Sequence, residues 1–157
     1  MRKIILNDCL GRYGWSNRGI VEVLRKKRVM DNAKFFEGNR SGLHAEITVA
    51  EFICRDGSDE FDSYVEVDGR PLWEIDREDM DAIAVLEKCG SEFCSGQRAS
   101  LSVEEYDDED FVIYIDGHGG TERLGLIPNL TEARIRACQN IDEVVELMRR
   151  TGALLRI

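Results

Sequence analysis

The spacing of apolar and polar residues divides the chain into short strands and amphipathic helices. Apolar runs and strict alternation predict strands, namely residues 3–7, 44–54, 64–67, 99–104 and 111–115, with a closing strand over 153–157. Apolar stripes at helical spacing predict helices, namely residues 17–29, 77–89, 131–137 and 141–150. This mixture of hairpins and helices favours an α+β fold.

Cap and turn residues mark the predicted boundaries. The expected helix N-caps are Ser16, Asp76, Thr131 and Asn140. Gly90 is expected to end the second helix, and Asp68-Gly69 is typical of a two-residue hairpin turn. The apolar faces predicted to be buried are Met80, Ile83, Ala84 and Leu86 in the second helix, and Ile141, Val144, Val145 and Met148 in the last.

The 157 residues fit one domain, with a mostly antiparallel sheet of hairpins packed with about four helices. Residues 47–52 resemble residues 101–106, and each segment is followed by a strand that ends in Asp-Gly. This similarity divides the chain into possible half-units, 1–75 and 76–125, followed by helices within 131–150. A duplicated helix–hairpin unit and two ordinary hairpins with common turn residues explain the similarity equally well.

Composition is that of a globular protein, with 43% hydrophobic and 33% charged residues and only two prolines. No apolar run is long enough to cross a bilayer, and the first residues do not resemble a signal peptide. The five cysteines are odd in number and include no Cys-x-x-Cys pair. We therefore expect reduced, mostly buried thiols in a reducing cytoplasm, with no membrane association and no direct nucleic-acid binding.

The net charge of −10 is unevenly distributed. Residues 51–120 hold twenty-one acidic and five basic side chains, whereas residues 1–50 hold five acidic and ten basic ones. One interpretation is that these oppositely charged segments attract each other in the fold and keep the protein soluble. The other is that the acidic residues form a surface for a basic partner and the basic residues form a surface for an anion.

The loop after the first strand is the main candidate for a binding site. It reads Gly11-x-x-Gly14-x-Ser16 and leads directly into a helix, an order that directs free backbone N–H groups at a ligand. Arginines could neutralise a phosphate and aromatics could stack on a base, but neither a Walker loop nor the dinucleotide fingerprint is present. The alternative is a tight turn with two exposed aromatics. The predicted ligand-binding residues are Gly11, Arg12, Tyr13, Gly14, Trp15, Ser16 and Arg18.

Other polar residues offer fewer chemical possibilities. Cys9 ends the first strand, where α/β proteins place functional groups, and His118 lies two residues from Asp116 in a glycine-rich turn. A nucleophilic cysteine needs a nearby base, so these three residues form the catalytic hypothesis; its alternatives are a buried thiol and a solvated turn. The acidic residues 104–110 lack the spacing of a calcium loop. We predict no metal and no cofactor.

Residues 5–16, Ile5-Leu6-Asn7-Asp8-Cys9-Leu10-Gly11-Arg12-Tyr13-Gly14-Trp15-Ser16, resemble the opening of a small phage-encoded family. Its members begin with a strand, then Asn-x-Cys-Tyr-Gly-Gly-Phe-Gly-Leu-Ser, then a helix; this chain has Arg12 at the second glycine. Segments within residues 76–105 and the pair Asp116-Gly117 also resemble that family, so the resemblance covers about half the chain. It implies a phage accessory protein, a class that commonly binds host machinery or immune-signalling nucleotides.

Three functional hypotheses follow. The first is a non-enzymatic protein that binds a small anionic or nucleotide-like ligand at residues 8–18 and acts against host defence or host metabolism. The second is an acidic protein–protein inhibitor of a basic host factor, motivated by the charge of residues 51–120. The third is an enzyme that uses Cys9 and His118 with Asp116.

Assembly is a separate prediction. We expect a homo-oligomer, most simply a two-fold dimer, because Phe52-Ile53-Cys54 gives the end of the predicted strand two apolar faces. A second copy would also bury Tyr13 and Trp15, which are otherwise hard to place on the surface of a monomer. The alternative is a monomer whose C-terminal helices cover that second face.

Overall fold

The computed structural model describes residues 1–38, 43–55, 62–117 and 121–152, and this part of the chain is α+β. Its helices are α1 (Asn17–Lys27), α2 (Val49–Cys54), α3 (Met80–Cys89), α4 (Ser91–Cys94), α5 (Glu132–Ala137) and α6 (Ile141–Arg150). Its strands are β1 (Arg2–Asn7), β2 (Ala33–Gly38), β3 (His44–Ile47), β4 (Asp62–Val67), β5 (Arg70–Leu72), β6 (Leu101–Tyr106), β7 (Phe111–Asp116) and β8 (Arg123–Pro128).

The described strands form three antiparallel sheets. Strands β1 and β6 pair over their full length, although about a hundred residues separate them in sequence. The second sheet has the order β3-β2-β4-β5, and β7 pairs with β8 in a two-stranded ribbon. The chain thus forms small sheets joined by helices, whereas the sequence predicted one main sheet of hairpins.

Helix α1 lies between the first two sheets and contributes to the two larger hydrophobic clusters. Val23 packs with Ile5 of β1 and with α3, whereas Leu24 packs with Phe35 of β2 and Phe52 of α2. These side chains are almost completely buried, and each fully buried aliphatic or aromatic group contributes roughly 1.5–3 kcal/mol. One helix therefore holds the two sheets together, and the loop before it lies where they meet.

Several local predictions are confirmed. Ser16 caps α1 by accepting a hydrogen bond from the Gly19 amide. Asp68 and Gly69 adopt φ angles of 53° and 76°, the left-handed pair that a type I′ hairpin requires. Gly90 ends α3 with φ 90°, and Thr131 and Asn140 cap the last two helices as predicted.

The predicted strand over 44–54 is wrong in its second half. Strand β3 ends at Ile47, and Thr48 then caps helix α2. Thr48 and Glu51 form a capping box, in which each side chain bonds the backbone amide of the other. This local signature outweighs the apolar–polar alternation. Residues 47–52 and 101–106, which resemble each other in sequence, consequently differ in secondary structure.

The helix predictions need three further corrections. Asp79, not Asp76, caps α3, because the Asp79 carboxylate accepts from the amides of Asp81 and Ala82. Met80 is consequently the first residue of the helix and is 80% exposed rather than buried. In α6 the buried residue is Leu147, and Ile141 is exposed.

Strands β2 and β8 were not predicted. The turn-forming residues at 37–42 predict a loop, but residues 37 and 38 end β2, the strand that pairs with both β3 and β4. Five predicted features lie outside the described residues: the turn that Asp56-Gly57-Ser58-Asp59 indicates, residues 39–42 of the predicted loop, His118, the glycines that follow it, and the strand over 153–157. No described helix is long and apolar enough to cross a membrane.

The two large apolar residues that favoured a dimer, Phe52 and Trp15, are already buried within one chain. Phe52 is fully buried within one chain, where its ring lies 4.8 Å from that of Phe35. Trp15 is only 9% exposed in the monomer, so no second copy is needed to cover it. The homo-oligomer stays a prediction. The cysteines are all unpaired, but only Cys94 is fully buried, which corrects the expectation of mostly buried thiols.

Candidate functional site

Asn7, the last residue of β1, holds the glycine-containing loop in place. Its side chain is fully buried. The Asn7 amide nitrogen donates to the carbonyl oxygens of Cys9 and Gly11, and its Oδ1 accepts from the Ser100 amide at 2.8 Å. One side chain therefore joins β1, the loop and the segment before β6.

Gly11 serves packing rather than ligand approach. A Cβ atom at Gly11 would lie 1.8 Å from the carbonyl oxygen of Arg98, far inside van der Waals contact. Gly14 differs, since a Cβ there would meet only one backbone oxygen, at 3.8 Å. The two glycines of the motif thus have different roles. Gly11 lets two backbone segments approach each other, whereas the backbone at Gly14 has room for a side chain.

The start of α1 is already occupied by groups of the protein. The Ser16 amide donates to the Cys94 carbonyl at 2.8 Å, and the Ser16 hydroxyl donates to the Phe93 carbonyl at 2.6 Å. The Arg18 guanidinium donates to the carbonyls of Phe93 and Glu92 and lies over the Phe93 ring. The donors at Ser16 and Arg18 that were expected to hold a phosphate are therefore engaged with α4.

Tyr13 and Trp15 point into the protein, not outward. The Trp15 indole nitrogen donates to the Tyr13 hydroxyl at 3.0 Å, which in turn donates to the Ile75 carbonyl at 2.9 Å. Burial raises the pKa of Tyr13 above its ordinary value, with hydrogen bonding to Trp15 and the nearby Arg77 opposing it. The Tyr13 hydroxyl is thus neutral at physiological pH and acts as a structural hydrogen-bonding group.

A cleft of about 150 Å³ opens where this loop meets the second sheet. One wall is the loop and the start of α1, and the other consists of β4, the last residue of β5 and residues 73–75 that follow it. Asn17 supplies a polar group there, since its amide donates to the Phe52 carbonyl at 2.8 Å and to the Ser63 hydroxyl at 2.6 Å. The described lining residues are Tyr13, Gly14, Trp15, Asn17, Ile20, Ser63, Tyr64, Val65, Leu72, Trp73, Glu74 and Ile75.

An aromatic row leads across the outer face of the second sheet to this cleft. It consists of Phe36, Tyr64 and Trp73, with the edge of His44 against Tyr64. Ring centroids are 5.1 Å apart between Phe36 and Tyr64 and 5.4 Å apart between Tyr64 and Trp73, both stacked. Trp73 ends the row and is 73% exposed. Its indole is a large, open stacking surface at the cleft.

The cleft brings together only part of the predicted site. Tyr13, Gly14 and Trp15 line it, whereas Gly11, Arg12, Ser16 and Arg18 are not among its lining residues. The aromatic row was missed, because its cross-strand contact of Phe36 with Tyr64 depends on β2, which was not predicted. The signal available in the sequence was the aromatic pair Phe35-Phe36, in which one ring faces the core and the next faces outward.

An ion pair fixes the loop from its other side. Arg77 binds Glu122 with two hydrogen bonds, of 2.5 and 2.6 Å, and its guanidinium carbon lies 3.9 Å from the centroid of the Tyr13 ring. Burial by itself raises the pKa of Glu122, but the hydrogen bonds from Arg77 and the Asn7 amide outweigh it and lower this pKa below its ordinary value. The carboxylate form therefore stabilises the fold.

We expect Glu122→Gln to lower the free energy of unfolding by about 1–3 kcal/mol at pH 7, since a charge-assisted pair is lost. Because the folded pKa is below the unfolded value near 4.5, the contribution of Glu122 is present above that value and is lost as the pH falls through the folded pKa. Urea unfolding at pH 7 and in acid measures this. The difference from wild type should shrink in acid, whereas exposed Glu104→Gln should change little at either pH; an equal loss at both pH values contradicts the assignment.

The described residues give no support to the hypothesis of a catalytic site at Cys9. The Cys9 thiol donates to the Arg98 carbonyl at 3.2 Å and to the Asn7 side-chain oxygen at 3.4 Å. His118 lies outside the described residues. Among the residues described, no group of three or more His, Cys, Asp or Glu side chains is arranged to hold a metal ion.

Comparison of the chain with models of protein families, with curated proteins and with solved structures found no match. The geometry of the cleft and of the aromatic row is therefore the basis on which a function is proposed.

Proposed function

We propose that this protein is a non-enzymatic binder of a small ligand with a planar, nucleobase-like ring, held in the cleft between the glycine-containing loop and β4. The observation that carries the proposal is Trp73, an indole 73% exposed at the end of a stacked aromatic row and at the cleft. An exposed tryptophan beside a concave site is a stacking surface for a flat ring.

The location differs from the first hypothesis, which placed a small anionic or nucleotide-like ligand at residues 8–18. The Ser16 amide and the Arg18 guanidinium already bind carbonyl groups of α4. The proposal therefore keeps the ring of a nucleotide-like ligand and assigns no phosphate to this loop. The phage setting implied by residues 5–16 fits a small accessory protein that captures such a ligand in the host cell.

The acidic-inhibitor alternative has less support. Many acidic side chains of residues 51–120 pair with basic ones of residues 1–50 within the chain, as in Arg2–Glu78 at 2.7 Å, Lys3–Glu87 at 2.5 Å and Lys27–Asp79 at 2.5 Å. These pairs account for part of the charge asymmetry without a partner.

Thermal-shift measurements with a panel of nucleosides, their 5′-monophosphates and their ring-methylated, cationic forms test the proposal. A ligand present at 100-fold its Kd should stabilise the fold by roughly 2.7 kcal/mol. Trp73→Ala should weaken that ligand by about tenfold, since stacking on an aromatic ring contributes roughly 1–3 kcal/mol per base.

The matched control is Tyr114→Ala, which removes an aromatic that is 50% exposed on the β7–β8 ribbon; it should leave the affinity unchanged. Absence of any shift across the panel, or equal affinities for wild type and Trp73→Ala, would overturn the proposal.

A further inference from the structure

The charge of the cleft determines which planar ligands it can hold. Among its described lining residues the only charged side chain is Glu74, and neither lysine nor arginine is present. The polar residues Asn17 and Ser63, which also line the cleft, are neutral. Glu74 is exposed and lines the cleft together with Trp73, so a ligand held there meets a carboxylate and no cation among the described lining residues.

Arg77 lies against Tyr13, a residue of the cleft wall, but its charge is compensated. Its guanidinium covers the Tyr13 ring at 3.9 Å but does not line the cleft. It forms a two-point ion pair with Glu122 and donates to the Ile5 carbonyl at 3.1 Å. Both ionic partners are largely shielded from solvent, with side chains 26% and 13% exposed. Arg77 therefore adds no net positive charge to the cleft.

The aromatic residues also favour a positively charged ligand. The face of an aromatic ring carries negative partial charge, and tryptophan attracts a cation more strongly than tyrosine or phenylalanine. Tyr64 covers one side of the Trp73 indole, which leaves the rest of the ring exposed. On the scale of the whole chain, the net charge of −10 raises the local concentration of cations.

We infer that the planar ligand of this cleft is positively charged: a nitrogen heterocycle that is alkylated or protonated on the ring and stacks on Trp73 with its charge near Glu74. This inference rests on the proposed function, because it assumes that the cleft binds a planar ring. A phosphate or carboxylate on the ring edge faces Glu74 and weakens binding.

Three probes of nearly equal size separate the effect of charge from that of shape: 1-methylnicotinamide (cation), nicotinamide (neutral) and nicotinate (anion). The chain has only two tryptophans, so its NMR spectrum contains two indole N–H signals. One reports Trp15 in the cleft wall and the other Trp73, and Trp73→Phe assigns them. Titrations at constant ionic strength should shift both signals, with a Kd for the cation about fivefold lower than for the neutral probe, and with the anion weakest.

Glu74→Gln should reduce the preference for the cation over nicotinamide to about twofold, because the carboxylate charge is removed. Glu104→Gln, which removes an exposed carboxylate from β6, should retain the full preference. If nicotinamide or nicotinate binds as tightly as the cation, the inference is wrong while the cleft remains a binding site. If none of the probes shifts either indole signal, the proposed function fails and the inference fails with it.

Discussion

Gly11→Ala is expected to destabilise the protein by about 2–3 kcal/mol, because overpacking against a fixed backbone costs roughly that much. The added Cβ would lie 1.8 Å from the Arg98 carbonyl oxygen and 2.9 Å from its carbon. Neither atom belongs to a flexible side chain, so the loop and the segment before β6 must separate. Such a shift also strains the hydrogen bond that the Asn7 side chain donates to Gly11.

Gly14→Ala is the matched control, since it adds the same methyl group three residues away in the same motif. Its Cβ would meet only the Arg12 oxygen at 3.8 Å, an ordinary contact. We expect its stability to stay within about 0.5 kcal/mol of wild type. Urea unfolding followed by circular dichroism measures both variants. Equal stabilities for Gly11→Ala and Gly14→Ala would contradict the close approach of the two backbones.

Asn7→Ala is expected to lower the free energy of unfolding by about 2–4 kcal/mol, because it leaves buried backbone groups without partners. The Ser100 amide loses its acceptor, and the carbonyls of Cys9 and Gly11 lose a donor. Water cannot replace these bonds easily, since the Asn7 side chain is completely buried. Asn7→Asp should also destabilise, because a carboxylate can accept from Ser100 but cannot donate to the two carbonyls.

The control for this prediction is Asn32→Ala, which removes an exposed asparagine side chain from the short 3-10 turn before β2. It should change the free energy of unfolding by less than about 0.5 kcal/mol. Hydrogen exchange of the Ser100 amide gives a second measurement, and this amide should exchange faster in Asn7→Ala. Unchanged exchange together with unchanged stability would show that Asn7 does not organise the loop.

Predictions based on neighbouring residues succeeded where the physical cause is itself local. The Ser16 cap, the Asp68-Gly69 turn and the Gly90 helix end each depend on the conformation of a few consecutive residues. The strand predicted over 44–54 is wrong for an equally local reason, since the Thr48–Glu51 capping box starts a helix within it. These features could all be found without knowledge of the fold.

The candidate site was only half predictable. The loop was identified because glycines between a strand and a helix are a visible pattern, and Tyr13, Gly14 and Trp15 do line the cleft. The opposite wall was missed, because no local signal connects Phe36 and Tyr64 with Trp73. Their stacking requires β2 to pair with β4 and Trp73 to follow β5 on the same outer face of the sheet.

By itself the sequence determined three of the four predicted helix caps, the hairpin turn, the α+β class and the presence of a glycine-containing loop between β1 and α1. Only the tertiary structure decided what that loop does. Gly11 and Asn7 meet residues 98–100 across about ninety positions of sequence, and Trp15 is turned inward. The physical reason is that caps and turns depend on backbone geometry within a few residues, whereas the direction of a side chain depends on which distant backbone satisfies its hydrogen bonds and covers its apolar surface.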